Sequence, residues 1–78
     1  MHFPSRAQIA ALQRQYPGGT KVELLGMDDP QAPPTGTMGE VMGVDDAGQL
    51  IVRWATGSSL SLIPGIDSFR IAEKGGQS

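Results

Sequence analysis

Residues 36–62 read GTMGEVMGVDDAGQLIVRWATGSSLSL, and the reading of this stretch decides the fold. Leu50, Val52 and Trp54 alternate with Gln49, Ile51 and Arg53, the period-two pattern of a strand with one buried face, and that face takes Trp54. Before it, Asp45-Asp46-Ala47-Gly48 supplies acceptor side chains for the first turn positions and a glycine able to take φ > 0 where the chain rejoins the ladder. After it, Ala55-Thr56-Gly57-Ser58 repeats the signal, and Leu60 and Leu62 resume the alternation. The stretch therefore predicts three short strands joined by two hairpin turns.

Outward from this centre, Gly39, Val41 and Gly43 fall on one face of the earlier strand, and Met38, Glu40, Met42 and Val44 on the other. Glycines flanking a core valine mark sharp bending or close backbone approach, which favours a closed barrel over a flat sheet. Thr20 to Leu25 gives a first strand with Val22 and Leu24 inward. The segment from Gly26 to Gly36 holds three prolines and several turn formers, so it is a long, stiffened loop. Ile63-Pro64-Gly65-Ile66-Asp67 reads as a single tight or 3₁₀ turn, and Ser68 to Ala72 as a last strand burying Phe69 and Ile71. At the other end, Ser5-Arg6-Ala7-Gln8 fits a capping box, and Ile9, Leu12 and Tyr16 form one stripe that packs on the open end or side of the barrel. Pro17-Gly18-Gly19 stops this helix.

The expectation is one mostly-β domain over residues 1–78: a helix over about 5–16, a small five-stranded SH3-like barrel over about 20–72, and a disordered tail over 73–78. The chain has no cysteine, so a disulfide framework is excluded and a reducing cytoplasm suits it. No apolar run approaches the roughly 20 residues needed to span a bilayer, and the N-terminus lacks a basic region followed by an apolar one. A soluble, cytoplasmic protein is expected. The net charge is −2, but residues 17–71 set Lys21, Arg53 and Arg70 against seven acids, which repels phosphate backbones and argues against direct nucleic-acid binding.

The residues also resemble a family. Pro17-Gly18-Gly19-Thr20-Lys21-Val22-Glu23-Leu24, Met27-Asp28-Asp29-Pro30, Ala32-Pro33-Pro34, Gly36-Thr37-Met38-Gly39, Val44-Asp45-Asp46-Ala47-Gly48, Val52-Arg53-Trp54, Gly57-Ser58-Ser59-Leu60 and Pro64-Gly65-Ile66-Asp67 look like the domain-of-unknown-function family four-three-one-four. The resemblance covers about residues 16–71, with most of the helix outside it. It implies an origin among small proteins of bacteria, phages and other mobile elements, and no particular activity. Ala55-Thr56 departs from the acidic residue and asparagine that the resemblance puts before Gly57, so no site is assigned to that turn. Pro-Gly-Gly-Thr-Lys-Val with the later Gly-Glu-Val also resembles KOW-type barrels that touch RNA and ribosomes.

Catalysis needs a base, a nucleophile or a metal held by neighbours, and the chain offers almost none. His2 is the only histidine and reads as incidental; Ser58-Ser59 has no plausible base; Gly36-Thr37-Met38-Gly39 opens no helix and is not a phosphate loop. No enzyme, cofactor or metal is expected. Asp28-Asp29 and Asp45-Asp46 could join as a calcium site, but each pair reads better as one aspartate closing its own turn and one in water. Trp54 reads as the central core side chain, as part of a groove beside the long loop with Tyr16 or Met27, or as partly both.

The candidate partner-binding residues are thus Asp28, Asp29, Asp45, Asp46, Tyr16, Met27 and Trp54. They fit a non-enzymatic protein-binding module of phage or mobile-element origin. Two alternatives stand beside it: an inhibitor of a host nucleic-acid-handling or defence complex (anti-CRISPR-like) acting through acidic loops, and a KOW-like RNA or ribosome contact.

Overall fold

The computed structural model describes residues 4–75. The elements are α1 (Arg6–Gln15), β1 (Lys21–Gly26), β2 (Met38–Val44), β3 (Leu50–Trp54) and β4 (Ser68–Glu73). All pairings are antiparallel and the sheet order is β3-β2-β1-β4. No helix among the described residues is long and apolar enough to cross a membrane.

Four strands form an open sheet in place of the expected five-stranded closed barrel, and two side chains account for the missing strand, Ser58 Oγ accepting from Leu60 N–H at 3.4 Å and the Trp54 indole binding the Leu60 carbonyl. Residues 58–62 keep the two end rungs of a hairpin with β3: Trp54 N–H donates to Ser58 O at 3.0 Å, and Leu50 and Leu62 exchange both backbone bonds at 2.8 and 2.9 Å. No backbone bond joins Val52 to Leu60 between them. Leu60 O instead accepts the Trp54 indole N–H at 2.9 Å. Burying Trp54 requires a partner for that N–H, and the carbonyl that would have extended the ladder supplies it. Pro64, which has no N–H to give, then turns the chain away.

The two turns form with glycine where expected: Gly48 N–H donates to Asp45 O at 3.0 Å, and Gly57 N–H to Trp54 O at 2.9 Å. Gly48 also has φ +80° and lies beneath Pro4 and Leu12, so a side chain there would be both strained and crowded. At Gly39 space alone decides, since a Cβ would stand 2.6 Å from Val52 Cγ1 and 2.7 Å from Trp54 Cε3. The indole lies across β2 because residue 39 has no side chain.

Val22, Leu24, Val41, Leu50, Val52, Trp54 and Leu62 form the buried core, with Tyr16, Met27, Val44 and Phe69 packed against it. Two positions depart from strict alternation. A register shift between Val41 and Gly43 turns Val44 to the core, against its expected outward place. Ile71, expected to be buried, is 39% exposed, because β4 is an edge strand and nothing closes over it.

Helix α1 has the capping box: Ser5 Oγ accepts from Gln8 N–H at 3.2 Å and Gln8 Oε1 from Ser5 N–H at 2.7 Å. Its stripe rests on the sheet without full burial, Leu12 near Gly48 and Tyr16 against Phe69, with ring centroids 5.6 Å apart. Buried Thr20 ties the start of β1 to the chain beyond β4, its hydroxyl donating to Pro17 O at 2.6 Å and accepting from Gly75 N–H at 3.1 Å. The region expected as a tail thus begins with Glu73 in β4, paired with Lys21, and Gly75 held by Thr20. Residues 76–78 and His2 lie outside the described residues.

Candidate partner-binding groove

The loop after β1 is held by its own sequence. Asp29 closes a turn, its Oδ1 accepting from Gln31 N–H at 2.8 Å and its carbonyl from Ala32 N–H at 3.0 Å. The returning arm bonds back to β1, Gly36 N–H to Leu24 O at 2.7 Å and Leu24 N–H to Thr37 O at 2.9 Å, and Pro33 is buried. Facing this loop is the turn before β4. There Asp67 Oδ2 accepts from Ile63 N–H at 2.8 Å, and the N–H groups of Ile66 and Asp67 donate to Ile63 O.

Between the two lies a groove with Met27, Asp28 and Asp29 on one side and Leu60, Ser61, Ile63, Ile66 and Asp67 on the other. Its apolar part is half-buried at Met27, Leu60 and Ile63, while Ile66 is 76% exposed, the most exposed of the large apolar residues among those described. Its polar part is three aspartates and Ser61. Asp29 and Asp67 each commit an oxygen to a turn, and Asp28 has no hydrogen-bond partner among the described residues. No basic residue lines the groove.

The strand acids are placed differently. Glu40 pairs with Lys21 at 3.2 Å and Glu23 with Arg70 at 2.6 Å. Arg53, Glu40, Lys21 and Glu73 stand opposite one another across β3, β2, β1 and β4, so the outer face alternates in sign. Such exposed pairs add little stability. They do neutralise the face, and the unbalanced charge is left on turn aspartates.

Of the residues singled out from sequence, the groove unites Met27, Asp28 and Asp29 and leaves out the rest. Asp45 closes the β2–β3 turn, Oδ1 accepting from Ala47 N–H at 3.0 Å and Gln49 N–H at 2.9 Å, while exposed Asp46 faces a separate hollow beside Arg6 and Ile9 of α1. The two aspartate pairs stand at separate turns, and no group of three or more metal-ligating side chains gathers among the described residues. Tyr16 packs on Phe69 and accepts from Gln15 Nε2 at 3.2 Å, away from this groove. Trp54, 2% exposed, belongs to the core and meets the groove only through its bond to Leu60.

Sequence reasoning passed over Leu60, Ile63, Ile66 and Asp67. The available signal was an isoleucine between Gly65 and Asp67, in a turn too tight to bury it.

The chain belongs to the family described as Domain of unknown function (DUF4314), which matches residues 5–72. The match includes α1, most of which the sequence resemblance left outside. Comparison with curated proteins and with solved structures found no match.

Proposed function

We propose that this member of the family is a non-enzymatic binding module that holds a segment of another protein in the groove between the β1–β2 loop and the turn before β4. The observation that carries this is Ile66. A large aliphatic side chain left 76% in water beside Met27, Leu60 and Ile63 costs solvation that a partner would recover. Both walls are tied to the sheet by backbone bonds, so little ordering remains to be done on association. Strand order β3-β2-β1-β4, the long first loop and the single turn before the last strand also support an SH3-like, though open, arrangement.

The test is affinity capture from the native host, quantified by mass spectrometry, with wild type, Met27→Ala and Ile66→Ser in parallel. Ile66→Ser removes exposed surface, so its melting curve should match wild type. A partner captured by wild type and depleted at least several-fold with Ile66→Ser supports the module; equal capture rejects it.

A second reading, an inhibitor that opposes a basic nucleic-acid groove, is favoured by the unbalanced charge on turn aspartates. It requires both acidic turns. Asp28→Asn with Asp29→Asn, and Asp45→Asn with Asp46→Asn, should then each slow association, with the wild-type rate falling as salt rises. The groove reading predicts sensitivity at the first pair alone.

A further inference from the structure

Resting on that reading of the groove, we infer that its occupant is a protein segment in which an aliphatic side chain lies next to arginine or lysine. The lining contains two kinds of unmet demand. Met27, Leu60, Ile63 and Ile66 offer apolar surface, and Asp28, Asp29 and Asp67 stand at the same opening with no cation among the lining residues. Glu23 and Glu40 have cationic partners, so the groove differs from the sheet face.

Three simpler occupants fail on these terms. A phosphate-bearing or acidic segment would be repelled. A purely apolar segment would fill the floor but strip water from carboxylates without giving them a partner, which is unfavourable. A small polyamine would meet the carboxylates and leave Ile66 in water. A segment carrying both groups satisfies both demands, and arginine suits it better than lysine because its planar fork can bond a carboxylate through two N–H groups.

The probe is a displayed library of random octapeptides, selected on the folded wild-type chain and counter-selected on Ile66→Ser. Recovered sequences should be enriched at least threefold in arginine or lysine neighbouring leucine, isoleucine, valine or methionine. The best peptide, titrated into ¹⁵N-labelled protein, should move the backbone signals of 27–29 and 60–67 and the Trp54 indole, which bonds the Leu60 carbonyl. Replacing its basic residues by glutamine, or its aliphatic ones by serine, should weaken it about tenfold, as should Asp28→Asn with Asp29→Asn. Asp45→Asn with Asp46→Asn should bind as wild type does. Recovery of acidic or purely apolar sequences, no enrichment, spermidine binding as tightly as the peptide, or signals moving at α1 would overturn the inference. A native partner that needs Ile66 but ignores Asp28→Asn with Asp29→Asn would overturn this chemistry and leave the module standing; indifference to Ile66→Ser would remove the module itself.

Discussion

Replacing Trp54 tests the fold at its most loaded point. It is the largest of the fully buried side chains, and its ring touches the space over Gly39 while its N–H binds Leu60 O. Trp54→Ala removes the ring and the bond together, and large-to-small changes of this kind cost about 3–5 kcal/mol. A chain of this length has about 4–12 kcal/mol of stability in all, so the alanine variant should be largely unfolded or melt tens of degrees lower. Trp54→Phe separates the two contributions. It keeps most of the apolar ring but leaves the Leu60 carbonyl without its donor, at about 1–3 kcal/mol. Urea unfolding followed by far-ultraviolet circular dichroism measures both, since neither variant retains the tryptophan fluorescence. The expected ranking of midpoints is wild type, then phenylalanine, then alanine, with an unchanged slope between wild type and phenylalanine. An alanine variant that melts cooperatively at the wild-type midpoint would refute the assignment of Trp54 to the core. Equal losses for the two variants would refute the weight placed on the ring.

Gly39→Ala introduces a Cβ where Val52 and Trp54 already stand, so the urea midpoint should fall by the equivalent of about 1–3 kcal/mol, and a wild-type midpoint would reject the close packing across β2. Ser5→Ala removes one half of the capping box of α1 and should lower stability by about 0.5–2 kcal/mol, seen as a lower thermal midpoint; no change would show that the helix adds little to the folded unit.

Local signals in the chain were read well where they depend on neighbours in sequence. The capping box at Ser5 and Gln8, the glycine-bearing turns at Gly48 and Gly57, and the inward set Val22, Leu24, Leu50, Val52 and Trp54 all follow from spacing and turn chemistry, and all are present. Failures came where the outcome depends on a distant competitor. Leu60 and Leu62 alternate like a strand, yet the backbone acceptor needed for a regular rung is used by an indole six residues earlier in the chain. Ile71 alternates like a core residue, yet its burial depends on a closure that does not occur. Val44 changes face because of one extra residue in β2, which no periodicity reveals. The groove was half visible for the same reason. Met27, Asp28 and Asp29 stand out in the loop, but their neighbours come from the turn far along the chain, and only the folded sheet brings Ile66 and Asp67 to them.

The Trp54–Leu60 bond gives the groove a property that its lining alone does not explain. A loop that had lost a ladder rung would ordinarily be free to move, since edge segments with few backbone bonds are the first to open. Here the lost rung is replaced by a bond from the largest fully buried side chain, so the wall carrying Leu60 is fixed to the core as well as to β3 through Ser58 and Leu62. The opposite wall is fixed by different means, through the Asp29 turn, buried Pro33 and the bonds of Gly36 and Thr37 to Leu24. Two walls anchored independently can hold their separation when empty, which lowers the entropy lost when a segment enters. The same arrangement places three aspartates at one opening with no basic residue among the lining residues. Asp29 and Asp67 are kept there by the turns they close, and Asp28 by its place beside Asp29, so local turn chemistry outweighs their mutual repulsion in water, which is weak at exposed sites.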